Sequence, residues 1–297
     1  FNDTATTEIY TRKDTLSLHD ALPIYVDGAV AWQARGSRVW NGFNQPVWID
    51  LAGKFPPGSS PVVHVRMASL QGVGGALSTV WAGNAEALTP GWHARNLMQR
   101  YLIGFARGAY LVLGVGALGV WLLLGRRRAD SMFLVFFLMS VFHTIGTLQY
   151  MVGQESFGIT DDWFSWLTLA GTLGSTLCSF YFLCLIQNQP RPRLGWALVC
   201  YVGVLSVITL PTWSVDQSSI LPLLRLALVP PSLVVLAVAA LGAWRQRNWP
   251  NILLAGWIVL SFPVGFHDLA MQRYNHVEHI YLTPYLYLGL FTMFLWI

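Results

Sequence analysis

A membrane all-α fold, a seven-helix transmembrane bundle preceded by a partial extracytoplasmic β-sandwich segment, is the class this sequence predicts from three observations. Of its 297 residues 54% are hydrophobic and only 11% are charged, with 14 Trp, more apolar surface than one water-soluble domain of ordinary composition carries. Seven long apolar runs fill the C-terminal two-thirds of the chain. Most arginines flank those runs instead of gathering on one polar face, and lysine occurs only at Lys13 and Lys54. The net charge of +4 therefore expresses membrane topology and gives no footprint for a nucleic acid. Cys178, Cys184 and Cys200 all fall inside apolar runs, which excludes a disulfide framework and a zinc ribbon and predicts small core residues.

Residues 1–24 are polar, mixed in charge and aperiodic, with no signal peptide pattern. The strings NDTATTEIYT (2–11) and DTLSLHDALPI (14–24) are similar to one reading frame through a sequencing-library adapter and its primer site. This segment is read as adapter-derived and carries no functional argument.

Residues 25–88 change to short alternating runs between Gly/Pro/Ser clusters, as in PVWIDL and PVVHVRM. In the second run Val63, Val65 and Met67 fall on one side of a strand and His64 and Arg66 on the other, a half-buried antiparallel pattern. The turn signals at 54–61 and 71–75 fit a sandwich that is short of strands. His64 and Arg66 are either solvated strand positions or a ligand face of this outer domain.

Residues 89–107 read as a connecting helix, N-capped by Thr89, opened by Pro90 and carrying Arg95, Arg100 and Arg107. Such a helix either transmits movement of the outer domain or anchors passively on headgroups.

A helix needs about 20 residues to cross the hydrocarbon core. The runs at 108–124, 132–152, 163–186, 194–210, 220–244, 252–271 and 280–297 supply seven such spans, the last ending without a basic stop. Sidedness follows from the loops. Arg126 to Arg128, Arg191 with Arg193, and Arg245 with Arg247 occupy every second loop, which the positive-inside rule makes cytoplasmic. The β-rich segment then sits outside, and anything following Ile297 emerges inside. Gly104, Gly108, Gly114, Gly116 and Gly119 in the first span, and Gly171, Gly174 and Ser175 in the third, predict close helix approach. Pro230, Pro231, Pro263 and Pro284 permit kinks in spans five to seven.

Ionisable residues inside spans are costly and are functional candidates. Arg225 lies near the outer start of span five, within reach of a carboxylate such as Asp268, and His143 lies in the outer half of span two. His267, Asp268, Arg273, His276, Glu278 and His279 cluster about the loop joining spans six and seven, so together these groups predict an outward-facing polar pocket for a ligand. A zinc hydrolase would use His276 and His279 with His143 or His267, but the HVEH string alone gives two ligands where catalytic zinc needs three. A transporter would carry its polar site at the midplane and often show repeated halves, neither of which is expected here. No span holds a lysine for a retinal Schiff base, and no phosphate loop, G-x-S-x-G or kinase signature occurs, so no catalytic residue or metal ligand is assigned.

The order of parts, the stretch NQPVWIDL…PVVHVRMASLQGVGG and above all FHDLAMQRYNHVEHIYLTPYLYLGLF (266–291) carry a family likeness across residues 25–297. The chain resembles the bacterial seven-transmembrane receptors with diverse intracellular signalling modules, in the branch with a sensor histidine kinase. That resemblance implies a periplasmic jelly-roll domain for carbohydrate-like ligands, an inner-membrane bundle, a homodimer, and a following kinase that uses ATP and Mg and passes phosphate to a response regulator. The chain departs from the pattern in having no cytoplasmic output sequence, so it is expected to be a fragment, with a cofactor only in the missing part and membrane lipid and an extracytoplasmic small molecule as its own partners.

Overall fold

Asp27 and Gly28 both adopt positive φ, 49° and 78°, and reverse the chain between β1 (Pro23–Val26) and β2 (Ala29–Gln33). A two-residue hairpin loop needs that geometry at both positions, and Asp-Gly supplies it with least strain. β3 (Val63–Val65) pairs antiparallel with the other edge of β1, giving the order β2-β1-β3 with Tyr25 opposite His64. Asp27 locks this second pairing: its N–H donates to the Val62 carbonyl at 3.0 Å, and its Oδ1 accepts from the Val62 N–H at 2.7 Å. β1 begins at Pro23, so the strand crosses the boundary drawn at residue 24.

The computed structural model describes residues 23–33, 44–51, 60–66, 80–124, 131–153, 158–212, 226–272, 280–286 and 289. Among them the sheet has three strands. Val63, His64 and Val65 are all half-buried and Arg66 is exposed, so the sharp two-sided pattern expected of this strand is blurred. A three-residue edge strand is shielded on each face by the side chains of one neighbour only. Met67 lies outside the described residues.

α1 (Ala85–Asn96) starts four residues before the expected cap. Asn84, in extended conformation, accepts the Glu86 N–H on its Oδ1 at 3.0 Å, while the Thr89 hydroxyl donates to the Ala85 carbonyl inside the helix. Asn caps at least as well as Thr, and the good helix formers that follow it let the helix begin at the earlier site. Pro90 is thus a helix-interior residue. A π-helical turn (Leu97–Leu102) leads without interruption into α2 (Ile103–Leu123), making one helix of 39 residues from Ala85 to Leu123.

α3 (Ser131–Gly146) and α4 (Asp161–Ile186) pack antiparallel with a constant register. Phe136 meets Phe182, Met139 meets Ser179, His143 meets Ser175 and Gly146 meets Thr172, so steps of three, four and three residues on one helix match equal steps on the other. This is a knobs-into-holes spacing. Close approach and hydrogen bonds are what hold such a seam where the outer faces of the helices are as apolar as the inner ones. Gly146 and Gly171 give the approach: a Cβ on Gly171 would stand 2.8 Å from the Phe142 carbonyl oxygen and 2.9 Å from the Gly146 Cα. α2 meets the adjoining face of α3 through Arg107 with Thr147, Tyr110 with His143, and Gly114 with Ser140. Gly108, Gly116 and Gly119 have no atom within 4 Å of a built Cβ, so of the first-span glycines beyond Gly104 only Gly114 serves a helix contact among the described residues.

α4 ends in a double-bonded reversal in which the Asn188 N–H donates to the Leu185 carbonyl and the Gln189 N–H to that of Cys184, with Asn188 at φ 51°. α5 (Pro192–Ile208) follows with Pro at its first position. It packs on α4, where the Trp166 indole donates to the Ser206 carbonyl at 2.9 Å. Cys178 and Cys184 are buried as expected, whereas Cys200 is exposed on the outward face of α5.

α6 (Val229–Gln246) and α7 (Trp249–Gln272) form an antiparallel hairpin. Pro230 and Pro231 open α6 instead of kinking it, because the first turn of a helix has no use for the N–H that Pro lacks. Pro263 does lie within α7, and Pro284 opens a short 3₁₀ turn (Thr283–Tyr285). Each of the first six apolar runs overlaps a helix, although α3 ends at Gly146 within the run at 132–152 and α6 begins at Val229 within the run at 220–244, whose first residues lie outside the described ones. By length and composition four segments can cross a membrane, namely Ala85–Leu123, Asp161–Ile186, Val229–Gln246 and Trp249–Asp268; Ser131–Gly146 and Pro192–Ile208 are shorter apolar helices. Most of the seventh run lies outside the described residues.

Candidate functional site

Three polar clusters sit where helices meet, two at the end of the bundle where α2 starts and one at the opposite end. The first is set by the seam between α2, α3 and α4. Arg107 is 7% exposed, and its guanidinium donates to the Thr147 carbonyl, which also accepts the Tyr150 N–H at 3.1 Å where α3 gives way to a short 3₁₀ turn (Leu148–Tyr150). The Thr147 hydroxyl turns back to the His143 carbonyl at 2.8 Å. His143 Nδ1 lies 3.0 Å from Ser175 Oγ, and the Tyr110 ring is edge-on to both His143 and Phe136, at 5.7 and 5.5 Å. These contacts join three helices around one imidazole.

The second cluster is built on α7 and the chain that follows it. Asp268 is 3% exposed, and its carboxylate accepts the N–H of Leu282 on Oδ1 and that of Thr283 on Oδ2, each at 2.8 Å. An anion at the start of a 3₁₀ turn meets two donors that the turn leaves open. His267 Nδ1 lies 3.0 Å from the same Oδ1, with its side chain 27% exposed. The Tyr285 hydroxyl then donates to the Met98 carbonyl at 2.6 Å, inside the π-helical turn.

Asn44 closes this end. Its side chain, 2% exposed, donates to the carbonyls of Gln99 and Tyr150 at 3.1 and 3.3 Å, so one residue of the segment before the bundle grips both the π-helical turn and the α3–α4 connection. Trp92 supports the same segment through its indole, which donates to the Pro46 carbonyl at 3.4 Å, and through its ring, 5.8 Å from that of Trp48. The Tyr150 ring also lies 5.6 Å from that of Tyr281, tilted by 58° to it, next to the residues held by Asp268.

Of the expected pocket residues, the structure brings His267 and Asp268 together and places His143 in the α2–α3–α4 seam with Ser175 and Tyr110. Arg225, Arg273, His276, Glu278 and His279 lie outside the described residues, as does any pairing of Arg225 with Asp268. Among the described residues no group of three His, Cys, Asp or Glu side chains comes within range of a common metal ion. His64 and Arg66 are at the edge of the small sheet, where His64 pairs with Tyr25 of β1 and the Arg66 N–H donates to the Pro23 carbonyl at 3.1 Å.

Sequence reasoning missed Arg107 as an interior residue, though the signal was there. Arg107, Tyr110, Gly114 and Ala117 are spaced by three, four and three and are all buried, the seam pattern of a packed helix face. It also missed the third cluster, where buried Gln187 at the end of α4 donates to the Val238 carbonyl at 3.1 Å. There Gln246 donates to the Gln187 carbonyl at 2.6 Å, and the Asn251 amide bonds to Gln246 Oε1. Gly242 gives Gln187 its room, since a Cβ there would overlap the Gln187 amide. No family model, curated protein or solved structure matches the chain.

Proposed function

We propose that the chain is the membrane sensor part of a bacterial signal-transduction protein. In this reading seven spans cross the inner membrane, with the β-rich segment, jelly-roll-like when whole, in the periplasm and the C-terminal side in the cytoplasm. A small extracytoplasmic molecule binds the outer domain or the polar end of the bundle. Its unequal affinity for two packings of the helices biases an output module, a histidine kinase by the family likeness, that would act on a response regulator.

The observation that carries the reading is the uninterrupted helix Ala85–Leu123. Its first half is held to the preceding segment by Trp92 and Asn44 contacts, and its second half packs into the bundle through Arg107, Tyr110 and Gly114. A displacement at one end therefore has a stiff path to the other. His267, beside Asp268 and partly open to solvent, supports a polar ligand at the same end.

Reporter fusions test the arrangement directly. A reporter active only outside the cytoplasm, placed before Tyr25, and one active only inside, placed after Ile297, should both give signal. Both positions in one compartment would remove the receptor reading.

A further inference from the structure

The end of the bundle opposite Asp268 gathers the C-terminus of α4, both ends of the α6–α7 turn and the N-terminus of α5, and the third cluster fixes their arrangement. Gln246 bonds to the Gln187 carbonyl and to Asn251, so the turn after α4 and the turn after α6 are held against each other. Both turns are sharp: Asn188 and Arg247 have φ of 51° and 48°. Residues 187–196 and 243–252 contain four arginines, Arg191, Arg193, Arg245 and Arg247, and no Asp or Glu. Arg193, Arg245 and Arg247 are exposed.

Three tryptophans stand among them, with Trp196 68%, Trp244 74% and Trp249 57% exposed. Exposed indoles at helix ends are the residue type that settles at the headgroup level of a bilayer. The Arg247 guanidinium lies 5.8 Å from the centre of the Trp244 ring, which holds a cation beside an interfacial aromatic. Guanidinium groups match phosphate oxygens in paired hydrogen bonds, and four of them in two turns that contain no Asp or Glu leave, among the described residues, a charge that zwitterionic headgroups do not balance.

We infer that this face is a docking surface for anionic phospholipid headgroups, their phosphates on Arg191, Arg193, Arg245 and Arg247 and their glycerol region against Trp196, Trp244 and Trp249. The inference rests on the reading of α4, α6 and α7 as membrane spans. It goes beyond general lipid contact by naming the lipid charge and the residues that select it. A second copy of the chain is a poorer occupant, because it would bring the same unbalanced positive charge.

The test uses the full chain in vesicles of phosphatidylcholine, alone or mixed with phosphatidylglycerol. Insertion is read by flotation and protease protection, and bound lipid by mass spectrometry of the protein released into mild detergent. Wild type should retain phosphatidylglycerol several-fold over phosphatidylcholine. The pair Arg193→Gln and Arg245→Gln should lose that preference with an unchanged melting temperature, and Arg100→Gln, at the other end, should keep it. Equal retention of the two lipids by inserted wild type, or a preference that survives the double variant, overturns the inference and leaves the spans intact. Failure to insert removes the spans themselves. Self-association that tracks Arg193 and Arg245 without lipid preference would assign the face to protein and overturn the proposal.

Discussion

Nδ1 of His143 and Oγ of Ser175 stand 3.0 Å apart in the seam between α3 and α4, one turn from the contact of Met139 with Ser179 on one side and of Gly146 with Thr172 on the other. A polar pair there favours this register of the two helices, since a slide that parts them leaves buried polar groups without this partner. The unsatisfied groups would then cost more than the lost contact itself.

Gly171→Ala should destabilise the folded protein by about 1–3 kcal/mol, because the added methyl meets backbone atoms of Phe142 and Gly146 that cannot rotate away. Gly119→Ala, where a Cβ meets open space, should be neutral or stabilising by up to about 1 kcal/mol from helix propensity. Unfolding midpoints of the two purified variants in detergent decide this. Equal values would mean that the seam does not pack at backbone distance.

Asp268→Ala removes the acceptor of the Leu282 and Thr283 amides and should cost about 1–3 kcal/mol, with faster proteolysis in the segment after α7. Asp268→Asn keeps one acceptor oxygen and should cost less. His267→Ala should leave the unfolding midpoint near that of wild type and, if this end receives the ligand, abolish the response of the full-length protein. A His267→Ala protein with unchanged signalling would take His267 out of the site.

Arg107→Ala deletes a charged donor to the Thr147 carbonyl in a buried seam and should cost about 1.5–3 kcal/mol. Hydrogen exchange at the end of α3 should rise with it, because the carbonyls there lose their outside partner. An unchanged exchange pattern would show that water replaces the guanidinium at no cost.

Asn84→Ala should shorten α1 at its start at a cost of about 1 kcal/mol, whereas Thr89→Ala should not move the first protected amide. Hydrogen exchange of residues 85–90 separates the two. Fraying beyond Thr89 in the second variant alone would restore Thr89 as the cap.

The helices were legible because their signal is composition over a long window. The runs at 163–186 and 194–210 fall within two residues of α4 and α5 at each boundary. What composition does not carry is direction: in lipid the outward face of a helix is as apolar as the inward one, so Cys200 reads like Cys178 although only one is buried. The buried arginine at 107 was hidden by a different assumption, that arginines near a span end lie on headgroups. Only its three-four spacing with Tyr110 and Gly114 distinguishes it. An apolar run does not mark where within it a helix starts, so Pro230 and Pro231 suit a kink as well as the helix opening they form, whereas the Asp27–Gly28 dipeptide does carry a local signal for its hairpin turn. The partnership of Asp268 with Leu282 and Thr283 spans 14 and 15 residues, and no local pattern announces it.

The rod from Ala85 to Leu123 has 39 residues, so at 1.5 Å per residue it is about 58 Å long, roughly twice the thickness of a bilayer's oily layer. In the proposed sensor, a tilt of about 10° about its middle would swing each tip by about 5 Å, close to one helical turn, and in opposite directions.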